Sequence, residues 1–162
     1  MRILFLGDVM GRSGRDAVAK YLPDLKEKLS PDVVIVNVDN AASGRGVTKD
    51  TAQNIYDAGA DCLTGGDHVW DQREMVSVIE RDKNILRAYN LPDTTPGNGV
   101  WQKTLTNGHE IVVLHLCGTV FMYKSIFDNP FHAADKALKN IKLEQGRSIF
   151  VDFHAEATSE KM

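Results

Sequence analysis

The apolar positions fall into short runs, each followed by a stretch of helical spacing. Arg2–Gly7 is a compact apolar run ending in Gly-Asp, the mark of a buried parallel strand. Val18, Tyr21, Leu22, Leu25 and Leu29 then fall on one helical face, with Ser13 placed as a cap and Pro23 predicting a break or restart. Asp32–Asn37 is a second, β-branched strand. Thr48 opens a helix whose Ala52, Ile55 and Tyr56 share a face, and Gly59 closes it. Asp61–Thr64 reads as a short third strand and Gln72–Glu80 as a helix. Pro92, Pro96, Gly97 and Gly99 mark a long loop. Val100–Leu105 and Ile111–Leu116 flank Asn107-Gly108, a hairpin signal. Pro130–Leu143 predicts another helix and Ser148–Phe153 a last strand.

Strand, helix, strand, helix, strand implies crossover connections and a mainly parallel α/β sheet. The hairpin announces a second, more antiparallel layer. No repeat, low-complexity tract or linker divides the chain, so residues 1–162 are expected to form a single domain, of a size that buries roughly two-thirds of its unfolded surface.

Composition adds exclusions. The formal charge is −3 with basic residues scattered, which gives no electrostatic basis for a stable nucleic-acid complex or for binding an anionic membrane. Cys62 and Cys117 both sit in apolar runs, the pattern of reduced core thiols and not of a disulfide framework. The first apolar run is too short for a signal-peptide core or a membrane span. A cytoplasmic protein is the expectation.

The chemistry is positional. Asp8, Asp39 and Asp67 each follow an apolar strand and precede a helix, at intervals of about thirty residues, one βαβ unit. Parallel strand ends share one edge of a sheet, where ligands bind. Carboxylates gathered there repel one another unless a cation lies among them, and hard metal ions take carboxylate oxygen and imidazole nitrogen. His68 adjoins Asp67, His154 follows the last strand, and Asn40 adjoins Asp39. Taken singly, each aspartate also reads as a helix cap or turn residue and each histidine as a hydrogen-bonded strand end. Gly11-Arg12-Ser13-Gly14-Arg15 reads either as a helix start or as a phosphate contact, and Trp70 as a buried anchor or a base-stacking ring.

Gly7-Asp8-Val9-Met10-Gly11, Val38-Asp39-Asn40-Ala41-Ala42 and Gly66-Asp67-His68-Val69-Trp70-Asp71 resemble successive motifs of calcineurin-like metallophosphoesterases. Thr95-Pro96-Gly97, Val120-Phe121-Met122, Asn129-Pro130-Phe131 and the segment Asp152–Glu160 resemble the YmdB-type bacterial 2′,3′-cyclic-nucleotide phosphodiesterase branch. The resemblance implies a layered αββα sandwich and a hydrolase for a small phosphodiester or nucleotide, using two transition-metal ions, iron or manganese. It implies that Asp8, Asp39 and Asn40 bind one metal, that Asp39 bridges to a second held by Asp67 and His154, and that His68 is the catalytic proton donor. Two ions roughly 3.5–4 Å apart activate water, neutralise phosphate charge and steady an in-line displacement.

Three departures qualify what the resemblance implies. The family carries Glu where this chain has Asp39, and Asn where it has Asp67. The shorter Asp39 needs a small adjustment to bridge, and Asp67 adds negative charge that tightens metal binding while blunting Lewis acidity. The family also continues to a Gly-Thr-His-Thr-His-like motif supplying two further histidine ligands, which the sequence through Met162 lacks. His109, His115 and His132 do not have that paired spacing. The expectation is therefore an incomplete cluster and an unfinished second sheet, a surface that favours homo-oligomers. Three other readings stand beside the enzyme: a truncated, non-catalytic nucleotide- or metal-binding remnant, a fragment of a longer protein whose remainder supplies the other ligands, and a doubly wound phosphoacceptor domain, which needs neither His68 nor His154.

Overall fold

The computed structural model describes residues 1–124 and 126–162. Four strands, β1 (Ile3–Leu6), β2 (Val33–Asn37), β3 (Cys62–Thr64) and β4 (Ile85–Leu86), lie in chain order and pair in parallel. All five residues of β2 are buried, because both faces of this strand are covered. Val34 and Val36 pack toward α1 (Gly11–Leu29), α2 (Lys49–Asp57) and α3 (Met75–Arg81), meeting Leu22, Ile55 and Ile79. Val33 and Ile35 face the other way, toward Trp101, Ile111 and Val113 of the second sheet.

That second sheet has the order β5 (Val100–Thr104), β6 (Glu110–Cys117), β7 (Arg147–His154). Its outer face packs Val112, Leu114 and Leu116 against Ala133, Ala137 and Ile141, from α4 (Pro130–Asn140) and its end. The layers therefore run helices, parallel sheet, second sheet, helix, the αββα order. A final turn of helix, α5 (Thr158–Lys161), follows β7.

Several expectations need correction. The second layer is only half antiparallel: β5 and β6 form the hairpin, but β7 returns through α4 and pairs with β6 in parallel. Pro23 does not break α1. Pro23 and Ala19, whose carbonyl loses its partner, are both exposed, so the freed carbonyl faces solvent and not the core. Ser13 is not the cap: α1 starts earlier, after Met10, because Val9 and Gly11 N–H groups bond Asn37 O and Asn40 O and hold the chain against the loop after β2. α3 begins at Met75 instead of Gln72, and α4 ends at Asn140 instead of Leu143, where Ile141 leaves helical geometry to pack inward. Asn129 caps α4 through Phe131 and His132 N–H groups, with Pro130 in the first turn. β7 extends through His154, so this histidine is the strand's last residue and not a loop residue beyond it.

Candidate metal centre

The register Leu6↔Val36 and Asn37↔Thr64 brings β1, β2 and β3 to an end at one level, and the loops that leave them carry Asp8, Asp39 and Asp67. Each loop is fastened to its neighbour. Val38 N–H bonds Thr64 O, and Gly46 N–H bonds Asp39 O. Asn37 Oδ1 accepts from Asp39 N–H. Asp8 sits at φ 32°, a left-handed backbone that turns its carboxylate toward Asn40. Gly66 is required by contact: a Cβ there would stand 2.5 Å from Asp39 Cγ and 2.8 Å from His154 Nε2.

A cavity of about 520 Å³ opens over these loops, lined by Asp8, Asn40, Asp67, His68 and His154 among others. Asp39 is fully buried beneath them. His154 Nε2 lies 3.5 Å from Asp39 Oδ2 and 3.6 Å from Asp67 Oδ1. His68 donates its backbone N–H to both Asp39 oxygens, and its Nδ1 is 3.1 Å from Asp39 Oδ2 and 3.2 Å from Asp67 Oδ1. Asn40 Nδ2 donates to Asp8 Oδ1 at 2.7 Å. All six residues singled out by sequence thus meet at one site, in two parts. Asp39, Asp67 and His154 converge, each offering a ligand atom within 4.8 Å of the others. Asp8 and Asn40 hold each other at the cavity wall.

The electrostatics match that division. Burial pushes the Asp39 carboxyl up, opposed by His154 and the His68 N–H and reinforced by Asp67. Burial also pulls Asp67 upward, but its hydrogen bond to His154 and the charge of His68 outweigh it and hold this carboxyl low. Burial works against charge on His154, yet the Asp67 bond and the Asp39 charge raise its pKa. Among the described residues no Lys or Arg pairs with Asp39 or Asp67. Two carboxylates and an imidazole converging without a Lys or Arg partner among the described residues fit a divalent or trivalent ion, whose charge resolves the repulsion.

Sequence reasoning missed the residues that support this site. Asp152, inside β7, accepts from Asn37 Nδ2 at 3.1 Å and lies 3.2 Å from Nδ1 of the fully buried His115. Burial raises its pKa, but the His115 bond and charge, with Asn37, prevail and bring it down to about 2. The loop after β6 is anchored at both ends. Glu160 accepts from Thr119 and Val120 N–H groups, and Asp67 Oδ2 from Tyr123 N–H at 3.1 Å. The Tyr123 ring stacks on His68 with centroids 5.5 Å apart, and the Arg45 guanidinium lies 4.9 Å from the Tyr123 centroid. The one sequence signal for this loop is Val120-Phe121-Met122, which named no contact. Trp70 packs against the helix-side core, the anchor of the two roles open to it.

Residues 4–162 match the YmdB-like protein family. The chain is 43% identical over 162 residues to the 2′,3′-cyclic-nucleotide 2′-phosphodiesterase of Bacillus subtilis (strain 168), across 100% of this chain and 60% of that protein. A crystal structure of a hypothetical protein from Thermus thermophilus superposes with a TM-score of 0.89 at 37% identity, covering 99% of this chain and 60% of that one. A novel phosphatase from Mycoplasma pneumoniae superposes with a TM-score of 0.90 at 31% identity, covering 99% and 57%. The chain therefore spans 57–60% of the length of the curated relatives it matches. With a family match that runs almost from end to end, a mixed α/β fold shared with these structures, and a carboxylate–imidazole cluster at the strand ends, the chain belongs to the YmdB-like protein family.

Proposed function

We propose that this chain carries the site of a metal-dependent phosphodiesterase acting on a small phosphodiester such as a 2′,3′-cyclic nucleotide. The observation that carries the reading is the convergence of Asp39, Asp67 and His154 within 4.8 Å at the floor of an open cavity. The name of the Bacillus subtilis relative supports the substrate class. Asp39, Asp67 and His154 would hold one ion. Asp8 and Asn40, with Asp39 bridging, would hold the second once the Asn40 side chain gives up its bond to Asp8. Iron or manganese suits this mixture of oxygen and nitrogen donors. The chemistry such ions supply when bound is charge neutralisation at the phosphoryl oxygens and activation of water.

The chain's own groups do the rest. Asp39 and Asp67 orient His68 through Nδ1, which leaves Nε2 as the nitrogen that hands a proton to the departing ribose oxygen. The two sheets share a core in which Val33 and Ile35 pack with Trp101, Ile111 and Val113, which supports a single-domain reading. Two free, buried cysteines support a reducing, cytoplasmic setting. Among the described residues no helix is long and apolar enough to cross a membrane.

The test is elemental analysis of protein purified without chelator, paired with hydrolysis of 2′,3′-cyclic AMP. About two transition-metal ions per chain and chelator-sensitive turnover are expected. Metal without turnover would favour a binding role for the same cavity. Neither metal nor turnover would overturn the proposal.

A further inference from the structure

Phe121 stands out as a side chain that the fold does not use. It is 86% exposed, the most exposed aromatic side chain among the described residues, and it lines the same cavity as Asp67, His68 and His154. Its backbone is left-handed, at φ 63°, an arrangement that a bulky residue keeps only where its surroundings impose it. They do impose it. Glu160 holds Thr119 and Val120 on one side, and Asp67 holds Tyr123 on the other. Tyr123 itself is engaged by His68 and Arg45. The loop thus keeps one phenyl ring out of the core and in water, over a cluster suited to phosphate chemistry.

Resting on the phosphodiesterase reading, we propose that Phe121 is the base-stacking side chain of this site. The ligand class is a nucleoside phosphate, its base laid on the Phe121 ring while its phosphate reaches toward Asp39, Asp67 and His154. A cavity of about 520 Å³ falls within the roughly 300–1,000 Å³ range of small-molecule sites. A phenyl ring has no hydrogen-bonding atom, so Phe121 discriminates between a base and no base, and not among bases.

The experiment is calorimetric titration of the protein as purified with two probes, adenosine 3′-monophosphate and ribose 5-phosphate, in wild type, Phe121→Ala and Phe121→Trp. Phe121→Ala weakens the adenosine ligand by about 5- to 150-fold and leaves ribose phosphate within about twofold, the range of one base–aromatic stack. Phe121→Trp restores the adenosine affinity. Equal loss for both probes, or no loss for either, overturns the stacking role. Adenosine binding that depends on Phe121, in a protein that hydrolyses no phosphodiester, keeps the stacking role and sinks the hydrolase reading. A wild type that binds neither probe overturns both.

Discussion

His154 Nε2 lies 3.5 Å from Asp39 Oδ2, a contact between the end of β7 in one sheet and the loop after β2 in the other. The candidate site is therefore a junction of the two sheets and not a property of either alone. His154→Ala removes the imidazole from the convergent donors without emptying the core, since this side chain is partly exposed. We expect metal affinity to fall at least about 100-fold, read by chelator competition, with the circular-dichroism spectrum unchanged. Retention of metal would place the ligands elsewhere and would also revive the phosphoacceptor alternative.

Asp39→Asn should separate stability from binding. The folded-state pKa of Asp39 lies above its ordinary value of 3.8, chiefly through burial, so the fold favours the uncharged form. The stability tied to that proton is complete below about pH 4 and is lost as pH rises through the raised value. At neutral pH the metal-free wild type therefore carries a penalty that the amide avoids. The variant's metal-free melting temperature should rise by about 2–4 °C for each kcal/mol relieved. The further rise on adding Mn²⁺, expected for wild type, should vanish.

Gly66→Ala probes the closeness of the loops. The added Cβ would meet Asp39 Oδ2 at 2.6 Å as well as Asp39 Cγ and His154 Nε2, so at least one ligand must move. Displacements near 1 Å cost on the order of 100-fold in rate. Turnover should drop by that amount and metal affinity with it, while thermal stability changes far less. Wild-type metal binding in this variant would show that the donors tolerate a looser cluster.

Asp152 sets an acid limit. Its pKa falls from 3.8 to about 2, and its side chain is only 9% exposed. A depressed carboxyl contributes stability above the unfolded value and loses it as pH falls through the folded one, here between about pH 4 and 2. The contribution is about 2 kcal/mol. Urea unfolding across that window should show the loss in wild type and a flatter profile in Asp152→Asn. Identical slopes would mean that the bonds to His115 and Asn37 are not kept in solution.

Much of this was legible from the chain. The runs at Arg2–Gly7, Asp32–Asn37 and Asp61–Thr64 predict β1 to β3. Strands β2 and β3 are buried on both faces as an apolar run implies, whereas the edge strand β1 is only partly covered, with Phe5 exposed. Their fixed spacing is what places Asp8, Asp39 and Asp67 on one edge. β4 was not visible, since Ile85-Leu86 is too short to show a period. The pairing of β7 was invisible for another reason: strand direction depends on the route through α4, which local pattern does not encode. The pairing of His115 with Asp152 was not legible because β6 is buried almost throughout and shows no polar face on which His115 would stand out, and the two residues meet only across the β6–β7 ladder. Tyr123 and Glu160 meet the site only through tertiary contacts of loops.

The strand that carries His154 leaves the ribosome after the strands it must join. At about 5–20 residues per second, Asp39 and Asp67 are in place several seconds before β7 has been made. A nascent chain thus holds the acidic half of the cluster without the β7 imidazole, and the contact of Tyr123 with Asp67 is formed from residues made before β7. On the proposed metal reading, the three convergent donors would come together only once β7 has docked, so ion capture would report the joining of β7 to the first sheet.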